Sequence, residues 1–203
     1  PHFEKMLYDN AQLLAVYSRA AVLYDDGFYR QIVRRTVAYL EREMTGAGGG
    51  LFSAQDAEVD SREGLNYLWT VPEIRDVLSE YDAAFAIAVY GADLGGNFTA
   101  PHHPEDGPRC VLRLDGRPES VAESMGLSLT VFDERLAGVN AALLDARDSR
   151  EQPGLDDKVL ASWNGMAAVG RVDAATALGE AGPLDAAERV VGFVLDTMRT
   201  PEG

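Results

Sequence analysis

The feature of this sequence that most narrows its fold is an alternation between two kinds of helical pattern. From Met6 to Tyr24, the positions Leu7, Ala11, Leu13, Leu14, Val16, Tyr17, Ala20, Ala21, Val22 and Leu23 are apolar, and beyond Gln12 the polar residues are mainly Ser18 and Arg19. A helix apolar on nearly every side is expected to be covered on nearly every side. Asp25-Asp26-Gly27 then makes a turn. The next helix, over 28–44, sets Phe28, Ile32, Val33, Val37, Leu40 and Met44 on one face and Arg30, Gln31, Arg34, Arg35, Glu41 and Arg42 on the other. The same succession returns near the end, where 159–179 is Ala-rich with few charges. After the Gly182-Pro183 break, 184–198 is amphipathic through Ala187, Val190, Val191, Val194, Leu195 and Met198. Between them, Phe132, Leu136, Val139, Leu143 and Ala146 mark a further helix over 127–146. A buried helix followed by a half-exposed one predicts antiparallel helical hairpins, hence an all-α fold.

Two insertions interrupt the helices. The Gly-rich loop 45–50 leads into 51–70, where Leu51-Phe52-Ser53 and Leu65-Asn66-Tyr67-Leu68-Trp69 are expected to pair around an acidic turn as a small β-hairpin insertion. Thr70-Val71-Pro72-Glu73 fits a capping box, opening a helix to Leu78 that is followed by an apolar one from Tyr81 to Tyr90. The second insertion, 95–116, is rich in Pro and Gly around His102-His103 and is expected to end in a strand at 111–114.

Charge excludes one class of partner. A formal net charge of −15 argues against nucleic acid, whose phosphates are bound by clustered Lys and Arg. No run reaches the roughly 18 apolar residues of a membrane span and no charged-then-apolar leader is present, so a soluble, cytoplasmic protein without a membrane partner is expected. Of the 18 cationic residues only Lys5 and Lys158 are lysines, and both lie inside dense polar motifs. Cys110 is alone, which excludes an internal disulfide and any CxxC pattern within these residues.

Three polar clusters could carry chemistry. The first is the opening stretch, with His2, Glu4, Lys5, Tyr8, Asp9 and Gln12. In a helix Glu4, Tyr8 and Gln12 share one stripe and Lys5 pairs with Asp9, although an ordinary helix N-terminus has the same spacing. The second is Asp56-Ala57-Glu58-Val59-Asp60 with Glu63. It fails as an EF-hand, because Ser61 stands where the loop wants Gly and Tyr67 where it wants Glu, and a solvated acidic turn is its plain alternative. The third is Asp156-Asp157-Lys158 followed by Ser162-Trp163-Asn164, where Trp163 could stack on a sugar or pack in the core. Paired carboxylates equip glycoside hydrolysis; a His with Lys or Tyr could instead move a proton beside a carbonyl, as sugar epimerisation needs. Spacing does not choose between them. Gly46-Ala47-Gly48-Gly49-Gly50 follows a helix, so it is no dinucleotide fingerprint, and His102-His103 reads as a solvated loop pair; neither a metal nor a cofactor is expected.

Three blocks, PHFEKMLYDNAQL, GGLFSAQDAEVDSREGLNYLWT with its following PEI, and DDKVLASWNG, in this order and at these distances, resemble the thioredoxin-domain-containing family typified by spermatogenesis-associated protein 20. The resemblance implies a single partial (α/α) six-hairpin barrel domain over 1–203, of the glycosidase and N-acylglucosamine 2-epimerase type. It also implies an N-terminal thioredoxin-like domain and further hairpins outside these residues. It implies a site location more than a reaction: His2, Glu4, Lys5, Tyr8, Asp9, Asp56, Asp60, Asp156, Asp157, Lys158, Trp163 and Asn164 are the matching motif positions. The expected function is a carbohydrate-processing or carbohydrate-binding barrel, with His2 or Glu4 as acid/base, Asp156 or Asp157 as second carboxylate and Lys158 as electrostatic partner. The remaining motif positions, Lys5, Tyr8, Asp9, Asp56, Asp60, Trp163 and Asn164, would bind substrate. The partners would be a sugar or other small molecule and the thioredoxin-like domain. The alternative is a non-catalytic scaffold or peptide-binding module serving that redox domain.

Overall fold

A computed structural model describes residues 2–200. In chain order the elements are β1 (Lys5–Met6), α1 (Leu7–Tyr24), α2 (Gly27–Tyr39), β2 (Ala54–Gln55), β3 (Glu58–Val59), β4 (Arg62–Glu63), β5 (Leu68–Trp69), α3 (Val71–Val77), α4 (Glu80–Tyr90), β6 (Cys110–Val111), α5 (Pro118–Ser124), α6 (Leu129–Asp148), β7 (Leu155–Asp156), α7 (Ala161–Leu178) and α8 (Gly182–Thr197). Among the described residues the fold is therefore mainly helical, eight helices with small antiparallel sheets. The chain divides into two compact units, one formed by the residues up to Phe3 with Ala57–Pro153, the other by Glu4–Asp56 with the residues from Gly154 onward. No helix among the described residues is long and apolar enough to cross a membrane.

The second unit, which holds α1, α2, α7 and α8, is built on helix packing. Leu7, Ala11, Leu14, Ser18 and Ala21 of α1 recur at helical spacing and are buried, and the first three meet Ala167, Ala168 and Ala174 of α7 and Val33 of α2 in one core. Gly170 sets how closely α1 and α7 approach. A Cβ there would lie 2.8 Å from the carbonyl oxygen of Ala11 and 3.4 Å from the Leu14 side chain, so only hydrogen fits. The helix α2 ends in a π-helical turn, Leu40–Met44. Thr45 Oγ1 donates to the Leu40 carbonyl at 2.8 Å, and Arg171 of α7 pairs with Glu41 at 2.8 Å. Arg171 is 1% exposed; burial pulls its pKa down and the Glu41 carboxylate opposes that shift. The Gly-rich loop after this turn wraps Phe193 of α8: a Cβ on Gly50 would sit 2.6 Å from the ring. Its glycines thus serve packing.

The expectation that the 6–24 helix is covered on nearly every side is not met. One stripe of α1 is buried, while Leu13, Val16, Val22 and Leu23 are at least half exposed. The physical reason is that α1 packs against α7 and α2, which cover a single sector of the cylinder. Uniform apolarity records what a helix tolerates, and the neighbours present decide what it buries.

The first unit has its own core, in which Phe132, Leu136, Val139 and Leu143 of α6 pack with Ile74 of α3 and Phe85 and Ile87 of α4. The capping box at Thr70 forms as expected: Glu73 N–H bonds the Thr70 hydroxyl and the Glu73 carboxylate accepts from the Thr70 backbone N–H. Burial alone would raise the pKa of Glu73, but the Thr70 donors and Arg109 outweigh it and hold the carboxyl below its ordinary value. Arg150 lies 3.9 Å over the Trp69 ring and donates to the carbonyls of Asn66 and Leu68, tying that segment to the end of α6.

The expected hairpin is redistributed. Leu51–Ser53 and Leu65–Trp69 do not pair; Leu68–Trp69 pairs with Cys110–Val111, and the hairpin is β3 with β4 around Asp60-Ser61. The cause lies in burial: Leu51 belongs to the core of the second unit, whereas Trp69 and Cys110 belong to that of the first. The strand expected at 111–114 is confined to β6, and the short α5 was not anticipated.

Two glycines of α7 give a paired test. Gly165 has open space around its missing Cβ, so Gly165→Ala should stabilise by up to about 1 kcal/mol in urea unfolding through helix propensity. Gly170→Ala should lose about 1–3 kcal/mol through overpacking against Ala11.

Candidate functional site

The three motif blocks meet, in part, as strands of one sheet in the second unit. β2 is its central strand: Lys5 pairs with Gln55 and Met6 with Ala54 on one side, and Ala54 pairs with Asp156 and Gln55 with Leu155 on the other. The sheet is extended by Leu7 N–H donating to the Ser53 carbonyl at 2.9 Å and by Ser53 N–H donating to the Asp156 carbonyl at 3.0 Å. The Ser53 hydroxyl donates to the Lys158 carbonyl at 2.6 Å. Directly opposed residues of an antiparallel pair share a face. Lys5, Gln55 and Leu155 therefore form one row and Met6, Ala54 and Asp156 the other, which separates the two candidate charges Lys5 and Asp156 across the sheet.

Behind the sheet, Asn164 is wholly buried. Its Oδ1 accepts from Leu51 N–H at 2.8 Å, and its Nδ2 donates to the carbonyls of Leu51 at 3.0 Å and Leu160 at 3.1 Å. This amide matches the backbone of an extended residue as another strand would. Asn164, expected to contact substrate, thus anchors the loop before β2 to the first turn of α7. Trp163 is half-buried and meets Tyr8 edge to face, with ring centroids 4.9 Å apart.

Asp156 and Lys158 form the clearest charged pair. The Lys158 ammonium reaches both Asp156 carboxylate oxygens at 2.5 Å, and this hydrogen bond holds the Asp156 carboxyl below its ordinary pKa. Asp156 is thereby an anion through neutral pH, suited to stabilise positive charge or accept a proton and unsuited to donate one. Glu4, Asp9, Asp56 and Asp157 are exposed in the same unit, and Asp56 N–H donates to the Gly154 carbonyl at 2.8 Å.

The remaining candidates lie in the first unit. His2 Nδ1 is 3.9 Å from a Glu63 oxygen, with its side chain 73% exposed. Asp60 is at the tip of the β3–β4 hairpin, where it and Ser61 both take positive φ, 51° and 60°, as a two-residue hairpin turn requires. Its carboxylate pairs with Arg62 at 2.8 Å, and Arg62 also pairs with Asp106 at 2.7 Å. That arrangement braces a turn. The Cys110 thiol is buried and its pKa is raised by that burial. His103 pairs with Glu105 at 3.0 Å, and among the described residues no group of three His, Cys, Asp or Glu is placed to hold a metal ion.

Gln55 and Tyr39 escaped the sequence reading. Gln55 is buried in the row with Lys5, and its Oε1 accepts from the Tyr39 hydroxyl at 3.2 Å. Gln55 adjoins Asp56 in the second block, so alternation along that strand could have found it; Tyr39 carries no local signal.

No family model matches the chain. It is homologous to spermatogenesis-associated protein 20. Identity to the Homo sapiens protein is 33% over 197 residues, which is 89% of this chain and 25% of that relative. Identity to the Mus musculus protein is 33% over 196 residues, 88% of this chain and 25% of the relative. An uncharacterized protein of Caenorhabditis elegans is 30% identical over 211 residues, 96% of this chain and 29% of the relative. The chain spans about a quarter of the length of the curated relatives it matches.

Two substitutions test this geometry. Lys158→Met should raise the Asp156 carboxyl pKa toward the ordinary aspartate value, followed by carboxyl carbon shifts in an NMR titration. Asn164→Leu leaves the N–H and C=O of buried Leu51 unsatisfied and should cost about 2–4 kcal/mol in chemical denaturation, on the scale of orphaned buried polar groups.

Proposed function

We propose that this chain forms part of an (α/α) six-hairpin barrel, glycosidase-like or N-acylglucosamine 2-epimerase-like, that binds or processes carbohydrate. The observation that carries the reading is the joining of three sequence-distant blocks at the starts of α1 and α7, with Asp156–Lys158 and the Tyr8–Trp163 ring pair in one unit. Homology to spermatogenesis-associated protein 20 is consistent with it, because the same blocks carried the resemblance.

In this reading Trp163, edged by Tyr8, offers an aromatic face to the C–H side of a sugar ring. Asp156, kept ionised by Lys158, stabilises the positive charge that develops at an anomeric carbon or accepts a proton beside a carbonyl. A proton donor must then be another group, and Glu4 and Asp157 of the same unit are the candidates. Asp56, exposed at the end of the central strand, would orient a hydroxyl.

A second reading, a non-catalytic scaffold serving a thioredoxin-like redox domain, is favoured by the exposed apolar side chains of α1, α7 and α8. Titrating the 203-residue chain with reducing sugars and glycosides in saturation-transfer NMR separates the two. The carbohydrate reading expects saturable transfer to at least one sugar, reduced at least about tenfold in affinity by Trp163→Ala. Absence of transfer across the panel, or binding indifferent to Trp163→Ala and Asp156→Asn in folded variants, would reject it.

A further inference from the structure

We infer that Arg150 and Arg109 form a binding site for a small oxyanion of the phosphate type, beside Trp69 in the first unit. This inference does not rest on the carbohydrate reading. Every other buried or half-buried arginine among the described residues, namely Arg30, Arg62, Arg109, Arg135, Arg147 and Arg171, has a carboxylate oxygen within 3.8 Å. Among the described residues none lies that close to Arg150. This residue is half-buried, with Cζ 3.9 Å from the centroid of the Trp69 ring. Its Nη1 alone donates to the carbonyls of Asn66 at 3.0 Å and Leu68 at 2.8 Å, and its Nε and Nη2 have no acceptor among the described residues.

The pairing of Trp69 with Cys110 sets Arg109 opposite Thr70, on the same short sheet whose Trp69 ring carries Arg150. Arg109 Nη1 donates to both oxygens of Glu73, at 3.1 and 3.3 Å, and the Thr70 N–H and hydroxyl donate to Glu73 Oε2 at 2.7 and 2.8 Å. Glu73 is thereby committed to Thr70 and Arg109. Burial lowers the Arg150 pKa, Glu73 opposes that shift, and Arg109 and Arg147 add to it. Nε and Nη2 of Arg150 and Nε and Nη2 of Arg109 are left without an acceptor among the described residues. Planar guanidinium forks match the oxygens of a phosphate, and a guanidinium already held by a ring and two carbonyls loses little freedom on binding one. A doubly charged group with three acceptor oxygens suits two such cations. The net charge of −15 weighs against a polyanion, whereas a single oxyanion senses charges within about 8 Å at physiological salt.

The test titrates the 203-residue chain with inorganic phosphate at constant ionic strength, beside chloride and acetate, and follows the arginine Nε–H resonances by NMR. Those of Arg150 and Arg109 should shift saturably with phosphate, at least about tenfold tighter than with acetate, and chloride should leave them in place. Arg150→Gln should weaken phosphate binding at least about tenfold with the circular dichroism unchanged. Should that variant unfold, Arg109→Gln, which keeps the Arg150 side chain over Trp69, should weaken binding by a similar factor. Glycerol phosphate separates the sources: binding equal to or tighter than that of inorganic phosphate assigns the site to a phosphate group on a larger molecule, weaker binding assigns it to the free anion, and both support the site. Shifts reproduced by chloride, acetate binding as tightly as phosphate, or affinity unchanged in either folded variant would overturn the proposal.

Discussion

The small sheet of the second unit depends on one buried amide. Asn164 has no exposed surface, yet it satisfies both backbone groups of Leu51 and a carbonyl of its own helix. Placing a polar side chain in an apolar interior is favourable only when its hydrogen-bonding capacity is used, and here three bonds use it. Because the Leu51 backbone is held to α7, Ser53 falls where it can donate to the segment after Asp156 and accept from the start of α1. The sheet that unites the three motif blocks is then a consequence of where that amide sits. Two-residue strands have little stability of their own, so the anchoring must come from outside the sheet.

The charges around this frame divide into those that hold structure and those offered to solvent. Arg171 is sequestered, with Glu41 beside the π-helical turn as its counter-charge, and an unpaired guanidinium at that depth would be costly. Lys158 and Asp156 face water, where their attraction adds little to stability but lowers the pKa of the carboxyl. The only two lysines of the chain thus stand at β1 and just after β7, strands on either side of the same central strand.

Much of the architecture is legible in the residues. The helices over 7–24, 80–90, 129–148, 161–178 and 182–197 follow from apolar spacing, and the Thr70–Glu73 capping box from four residues. The strand partners were not legible, because Leu51, Leu68 and Trp69 are all apolar and extended and differ only in which core receives them. The site was half legible. Asp156 with Lys158 is a local pair, visible in the order of the chain, whereas no sequence pattern encodes the partner of Asn164, whose amide is bonded to the backbone of Leu51, 113 positions away.

By itself the sequence determined where most of the helices lie, where the Thr70–Glu73 box caps one of them, and that three polar blocks are tied to helix starts, because these properties depend on spacing within a few residues. The tertiary structure alone decided that α1 leaves apolar side chains on solvent, that Gly170 admits the Ala11 carbonyl, and that β2 lies between the strands of the first and third blocks. Those outcomes turn on which distant surfaces meet. Helical periodicity specifies a surface that can be buried, and only the neighbours actually packed against it determine how much of that surface leaves water.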